Sequence, residues 1–176
     1  RDRHYEDGDL GPLYGFQWRH WNAPYNGCDE DYKGKGIDQL QYIIEMLKNP
    51  ETRTSRRLLI SAWNPEQLTE MALPPCHSFF QFNVQDNNKL SCTVFCRSQD
   101  VPLGQPFNIA SYSFLTHLIA FHTGLTAHEL ILHGGNCHIY EPHIETIKQQ
   151  LDREPFPFPT VTIRELKENI EDWLVM

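Results

Sequence analysis

The chain predicts an α+β fold, and three observations carry that prediction. β-rich runs and helix-period runs share the sequence without the strict strand–helix–strand alternation of a doubly wound sheet. Two of the β-rich runs are joined by a short turn, which makes them neighbours in one sheet. A long apolar run follows them and reads as a buried central helix.

Taken in order, Ile37, Leu40, Ile43, Ile44 and Leu47 recur at helical spacing until Asn49-Pro50 ends the pattern. Residues 37–48 are therefore an amphipathic helix with one face for a sheet. Residues 58–63, 78–84 and 90–95 are the β-rich runs, and Asp86-Asn87-Asn88-Lys89 supplies the turn between the last two. Residues 108–123 are largely apolar on all sides, and Gly124 stands where a helix ends in a left-handed residue. A further strand is expected at about 130–133 and a short helix at about 143–151. Pro155, Pro157 and Pro159 then exclude regular structure before Val161-Thr162-Ile163.

A length of 176 residues with 40% hydrophobic content supports one domain with a substantial core. No apolar run reaches the roughly 18 residues of a membrane span, and the charged N-terminus lacks an apolar signal core, so a soluble, cytoplasmic protein is expected. Five cysteines without a CxxC pair suggest a reducing compartment rather than a disulfide framework. Cys92 and Cys96 share one face of a strand, but four steps of about 3.3 Å separate them too far for a disulfide, so both belong to the core.

A net charge of −8 argues against broad nucleic-acid binding and repels anions at long range. Any phosphate site must be local, as Arg53, Arg56 and Arg57 are, and as Arg97 is beside Ser98. His117, His122, His128, His133, His138 and His143 lie five or six residues apart. Five helical residues turn about 500°, leaving neighbours roughly 140° apart, whereas a zincin needs histidines at i and i+4. No metal is expected.

The stretch that carries chemistry is Leu73-Pro74-Pro75-Cys76-His77, followed by Cys96-Arg97-Ser98 and then Pro106-Phe107-Asn108-Ile109-Ala110-Ser111. A lone free cysteine is usually a small buried hydrophobe. Here two prolines fix its approach, an imidazole follows directly, and a guanidinium is the kind of neighbour that favours a thiolate. Cys76 is therefore a nucleophile candidate.

These segments, with Gly8-Asp9-Leu10-Gly11-Pro12-Leu13-Tyr14-Gly15-Phe16-Gln17-Trp18-Arg19, resemble the thymidylate synthase family. The resemblance runs through nearly the whole chain. It also takes in Ser55-Arg56-Arg57, Ser61-Ala62-Trp63-Asn64, residues 71–77, Gly135-Asn136-Cys137-His138-Ile139-Tyr140 and Arg153-Glu154-Pro155-Phe156-Pro157-Phe158-Pro159.

The resemblance implies an α+β fold whose twisted mixed sheet packs with helices on one side and back to back with a second subunit's sheet, making a homodimer. It implies deoxyuridylate (dUMP) as substrate and 5,10-methylenetetrahydrofolate, a reduced folate, as the co-substrate giving the one-carbon unit and the hydride. Cys76 becomes the nucleophile that adds to ring carbon six. Arg97 and Ser98 hold the phosphate, with Arg56 and Arg57 reaching in from the partner subunit. His138 and Tyr140 match the residues on the deoxyribose hydroxyl, and Tyr14 and His77 match members of a proton-moving water network. Asn108 reads the base, since an amide offers one donor and one acceptor to uracil. Trp63, Leu73, Asp100, Leu103, Gly104 and Phe107 are the implied folate wall and contact residues, with Asp100 also beside the substrate.

The same resemblance makes residues 1–176 a single domain that begins and ends inside the family pattern. The upstream phosphate-loop arginine, the glutamate-bearing helix and the C-terminal tail would fall outside it. Cys96 stands where glutamine is usual before the Arg-Ser pair, and Asn136 where many members have aspartate. Two further readings are a deoxycytidylate hydroxymethylase, disfavoured because those enzymes carry aspartate at the Asn108 position, and a catalytically silent nucleotide-binding or dimerising remnant.

Overall fold

The computed structural model describes residues 5–165, 167 and 169–173. Four strands form one mixed sheet in the order β1 (Leu59–Ser61), β2 (His77–Gln85), β3 (Lys89–Asp100) and β4 (Thr126–His138). β1, β2 and β3 pair antiparallel, and β3 pairs parallel with β4. The parallel pair is possible because the 20-residue helix α3 (Gly104–Thr123) crosses between them.

Alternation along the strands sorts the two faces of the sheet. Ile60, Phe80, Phe82, Leu90, Cys92, Val94 and Cys96 are buried, and most of them form one core with Leu40, Ile43, Ile44 and Leu47 of α2 (Gln39–Lys48) and with Leu118 and Ile119 of α3. Each such aliphatic or aromatic side chain contributes roughly 1.5–3 kcal/mol on burial. α2 starts where the Asp38 carboxylate accepts from Gln41 N, two residues later than expected; Leu40, Ile43, Ile44 and Leu47 form its buried face as the spacing predicts, but Ile37 lies before the helix, bridged to Trp21, and is exposed. The outward face carries Leu59, Phe79, Phe95 and Ile131, all exposed by more than a third, with the Phe79 and Phe95 rings stacked 5.4 Å apart.

Three expectations need correction. The helix after β3 is not buried on all sides, because Phe107, Ile109, Phe114 and Phe121 are exposed while Tyr112, Thr116, Ile119 and Thr123 face inward. The last strand is 13 residues long rather than four, since pairing with β3 carries Gly134, Gly135 and Asn136 along. This places His128, His133 and His138 on a strand, where the helical spacing argument no longer applies. The third correction is α1 (Tyr14–His20), which the periodicity does not announce.

β1 is also shorter than the 58–63 expected, and β3 runs past residue 95 to Asp100, because its pairing with β4 continues through Ser98 and Asp100; the remaining elements fall close to where they are expected. Gly124 takes the left-handed conformation at the end of α3 (φ 68°), and α4 spans Ile144–Leu151 before the proline-rich segment, which has no regular structure. Cys92 and Cys96 are both buried and free, and burial pushes the Cys92 thiol up to about 12. Among the described residues no helix is long and apolar enough to cross a membrane.

Candidate active site

Cys76 sits immediately before β2, and its backbone is clamped from two sides. Its N–H donates to Tyr14 Oη at 2.9 Å, and its carbonyl accepts from Arg97 N at 2.8 Å. α1 thus positions the nucleophile candidate from one direction and β3 from the other.

A buried amide network holds α1 in place. Gln17 Nε2 donates to Pro12 O and to Gln67 Oε1, each at 2.9 Å, Asn64 Nδ2 donates to Gln17 Oε1 at 3.2 Å, and Gln67 Nε2 donates to Ala23 O at 2.9 Å. Gly11 explains the glycine ahead of this helix: its φ is 78°, and a Cβ there would run into the Glu70 carbonyl. That close approach lets Leu10 O accept from Ala72 N at 2.9 Å, and so ties the segment before Tyr14 to the one before Cys76.

Arg97 reaches back across the same loop. Its Nε donates to Pro75 O at 2.8 Å and its Nη2 to Pro74 O at 2.7 Å, while the guanidinium lies 5.3 Å from the Trp63 ring. Two charge-assisted bonds and a cation–π contact lock the Pro-Pro turn on β3. Gly135 on β4 pairs beside this point, where a Cβ would come within 2.8 Å of Arg97 O.

His77 opens β2 and points toward the helical side. Its ring stacks flat on Tyr14, with centroids 4.0 Å apart and planes 9° apart, and its Nδ1 lies 2.6 Å from Tyr112 Oη on α3. Burial holds this imidazole at about 4, well below its ordinary value of 6.5, so it is neutral at neutral pH. Burial likewise raises Tyr14, with the bond from Cys76 N opposing it, and burial raises Tyr112 strongly.

Tyr14, Trp63, Cys76, His77 and Arg97 are therefore brought together by direct contact. Asn108 stands on α3 one turn before Tyr112, so the two share a helix face. Ser98 and Asp100 continue β3 and pair with Asn136 and His138 of β4. His138 Nδ1 lies 3.1 Å from Asn136 Oδ1, and the His138 and Tyr140 rings meet edge to face at 5.0 Å. Asp100 Oδ1 accepts from Leu103 N at 3.4 Å ahead of Gly104. Leu73, Leu103 and Phe107 are exposed by more than half, leaving apolar surface on the loop before Cys76 and at the start of α3.

Arg56 and Arg57 do not join this group. Both are exposed just before β1 and, with Thr54 and Ser55, line a separate surface cavity of about 490 Å³. A cavity of about 800 Å³ also lies elsewhere, between α1 and the 30–38 loop. Arg19 pairs there with Asp38 at 2.8 Å and Lys35 with Glu30 at 2.6 Å, and none of the candidate site residues lines it, so the chemistry is better sought at Cys76.

The sequence reading passed over two residues here. Tyr112 is one, hidden inside a helix read as uniformly apolar. Gln99 is the other: buried on β3 between Ser98 and Asp100, its amide nitrogen and oxygen have no partner among the described residues.

Fold and site together define an α+β protein with a thiol held at the start of a sheet strand between a tyrosine, a histidine and an arginine. The sequence signature of the family described as thymidylate synthase matches residues 2–176, and the chain belongs to that family. It is 53% identical over 174 residues to the thymidylate synthase of Agaricus bisporus, covering 96% of this chain and 57% of that protein. Against the thymidylate synthase of Homo sapiens it is 52% identical over 169 residues, 96% of this chain and 53% of the human protein. The bifunctional dihydrofolate reductase-thymidylate synthase of Plasmodium berghei is 51% identical over 172 residues, 98% of this chain and 29% of that protein. The chain spans about half the length of the monofunctional relatives.

Proposed function

We propose that this chain carries the nucleophile-bearing part of an enzyme that methylates deoxyuridylate to thymidylate with 5,10-methylenetetrahydrofolate. The observation that carries this reading is the clamp around Cys76: Tyr14 on its N–H, Arg97 on its carbonyl and on both preceding prolines. A loop fixed at that many points presents one thiol in one place, as covalent catalysis requires.

In this reading the Cys76 thiolate adds to carbon six of the uracil, and carbon five becomes nucleophilic enough to take the one-carbon unit. Carbon five then loses its proton. The bond from the one-carbon unit to the folate nitrogen then breaks, and hydride from the released tetrahydrofolate reduces that unit to methyl as the thiolate leaves, giving dihydrofolate. Arg97 and Ser98 face the phosphate, Asn108 the base edge, His138 and Tyr140 the sugar hydroxyl, and Tyr14 and His77 the water that carries protons. Exposed Leu73, Leu103 and Phe107, with Trp63, Asp100 and Gly104, form the side on which a flat folate ring would lie.

The exposed apolar face of the sheet, with Leu59, Phe79, Phe95 and Ile131, supports a second copy packing sheet to sheet. In that dimer Arg56 and Arg57 serve the partner's phosphate site. A cytoplasmic location belongs to the same reading.

Fluorodeoxyuridylate tests the assignment, because a fluorine on carbon five cannot leave as the proton does. Incubated with this analogue and methylenetetrahydrofolate, the protein should form a covalent complex whose tryptic adduct maps to Cys76 by mass spectrometry. An adduct on Cys96 or Cys137, or none, overturns the reading.

A further inference from the structure

The bond between His77 and Tyr112 has a direction that the surroundings decide. Tyr112 is 2% exposed, and its hydroxyl has no hydrogen-bond partner among the described residues other than His77 Nδ1, 2.6 Å away. Suppose His77 carried its proton on Nδ1 and donated to the tyrosine oxygen. The phenolic O–H would then be a buried donor with nothing to donate to, an arrangement that folded proteins avoid. The reverse arrangement leaves no orphan: Tyr112 donates, Nδ1 accepts, and the ring proton sits on Nε2. That nitrogen makes no hydrogen bond among the described residues and is not among the buried unpaired atoms, so it remains in reach of solvent.

Three contacts then fix the ring completely. Tyr112 holds one edge, the flat stack on Tyr14 holds one face, and the Tyr112 ring meets it edge to face at 5.3 Å. The Tyr14 hydroxyl in turn accepts from Cys76 N, so the imidazole is registered to the nucleophile candidate through one ring.

We infer that Tyr112 is a positioning residue: its hydroxyl holds His77 as the Nε2–H tautomer, which presents a hydrogen-bond donor rather than an acceptor beside Cys76. The tautomer stands on the geometry alone. That the donor faces a nucleotide carbonyl or its water rests on the proposed function.

Histidine labelled with nitrogen-15 reads the tautomer directly. In long-range proton–nitrogen correlation spectra of the ligand-free protein at pH 7, with the His77 peaks assigned from a His77→Gln sample, the Nε2–H pattern is expected as a single species. Tyr112→Phe keeps the ring and removes only the hydroxyl, so His77 should become a mixture of the two tautomers. Turnover of deoxyuridylate should drop about tenfold in kcat with KM little changed, the loss of one oriented hydrogen bond. An Nδ1–H pattern in the unmutated protein overturns the inference, and so does a tautomer ratio that Tyr112→Phe leaves unchanged. Because the spectra need neither substrate nor turnover, failure of the catalytic reading would show separately as absent activity in an unmutated protein whose tautomer is still Nε2–H.

Discussion

Arg97 and the Arg56–Arg57 pair carry the same charge and the same expected duty, yet the molecule holds them in opposite ways. Arg97 is half-buried, with Nε and Nη2 fixed on the Pro75 and Pro74 carbonyls and Trp63 under its plane. Arg56 and Arg57 are exposed, and their guanidinium groups make no hydrogen bond among the described residues; only their backbone is held, by Gln81 Nε2 and Ser55 Oγ. One charge is built into the candidate site, where it holds the loop that carries Cys76. The other pair is left facing outward, as a group that serves a partner would be.

The comparison breaks most completely in a mixing experiment. Cys76→Ala and Arg56→Glu should each lose at least about 10³-fold in turnover as homodimers if both residues serve the same reaction. In a heterodimer one site loses both residues and the other keeps the native set. An equal mixture that scrambles at random should regain about one quarter of unmutated activity. Mixtures that form heterodimers by native mass spectrometry but stay inactive would place Arg56 in its own subunit's site.

Stability separates the two arginines next. Arg97→Ala removes two charge-assisted bonds to the proline carbonyls, an expected loss of about 2–4 kcal/mol in urea unfolding. Arg56→Ala and Arg57→Ala should stay within about 0.5 kcal/mol. Equal losses would show that the clamp on the Pro-Pro turn contributes nothing.

The buried side also has a pH signature. His77 is held at about 4 by burial against an ordinary 6.5, so below pH 6.5 the unfolded chain takes up a proton that the folded chain refuses. Stability from this group is present above pH 6.5 and is lost as pH falls toward 4, by about 1–2 kcal/mol once partial solvent access is discounted. Urea melts of the unmutated protein and His77→Asn should differ less at pH 4.5 than at pH 7.5. A gap that does not narrow contradicts a neutral, buried imidazole.

The smallest effect lies two residues from Arg97. Gln99 keeps a buried amide without a partner among the described residues, so Gln99→Met should stabilise the chain by about 1 kcal/mol, read as a higher urea midpoint. A lower midpoint would mean that the amide has a partner outside the chain, such as an ordered water.

Much of this contrast was legible in the residues. The helix at 37–48 declared itself because one face of a helix must repeat at 3.6, although its start falls two residues later, where Asp38 caps it. Strands β2 and β3 declared themselves because β-rich runs flank a turn, and Cys76 because prolines, a histidine and an arginine motif surround it. α1 did not, since its two turns are held by Gln17 bonding to Gln67 fifty residues away rather than by an apolar stripe. The full length of β4 did not either, because glycines carry little local preference and extend there only by pairing with β3.

What the sequence by itself determined is therefore what local chemistry can express: periodicities, turn residues, the nucleophile candidate and the family motifs around it. Tertiary structure alone decided which of the family-matched residues touch. Tyr14 reaches Cys76 across 62 positions, Tyr112 reaches His77 across 35, and Arg97 turns back to Pro74 across 23. Such contacts depend on the register of β2 with β3 and on where α1 and α3 pack, and a side chain's partner is fixed only when the whole core settles those positions at once.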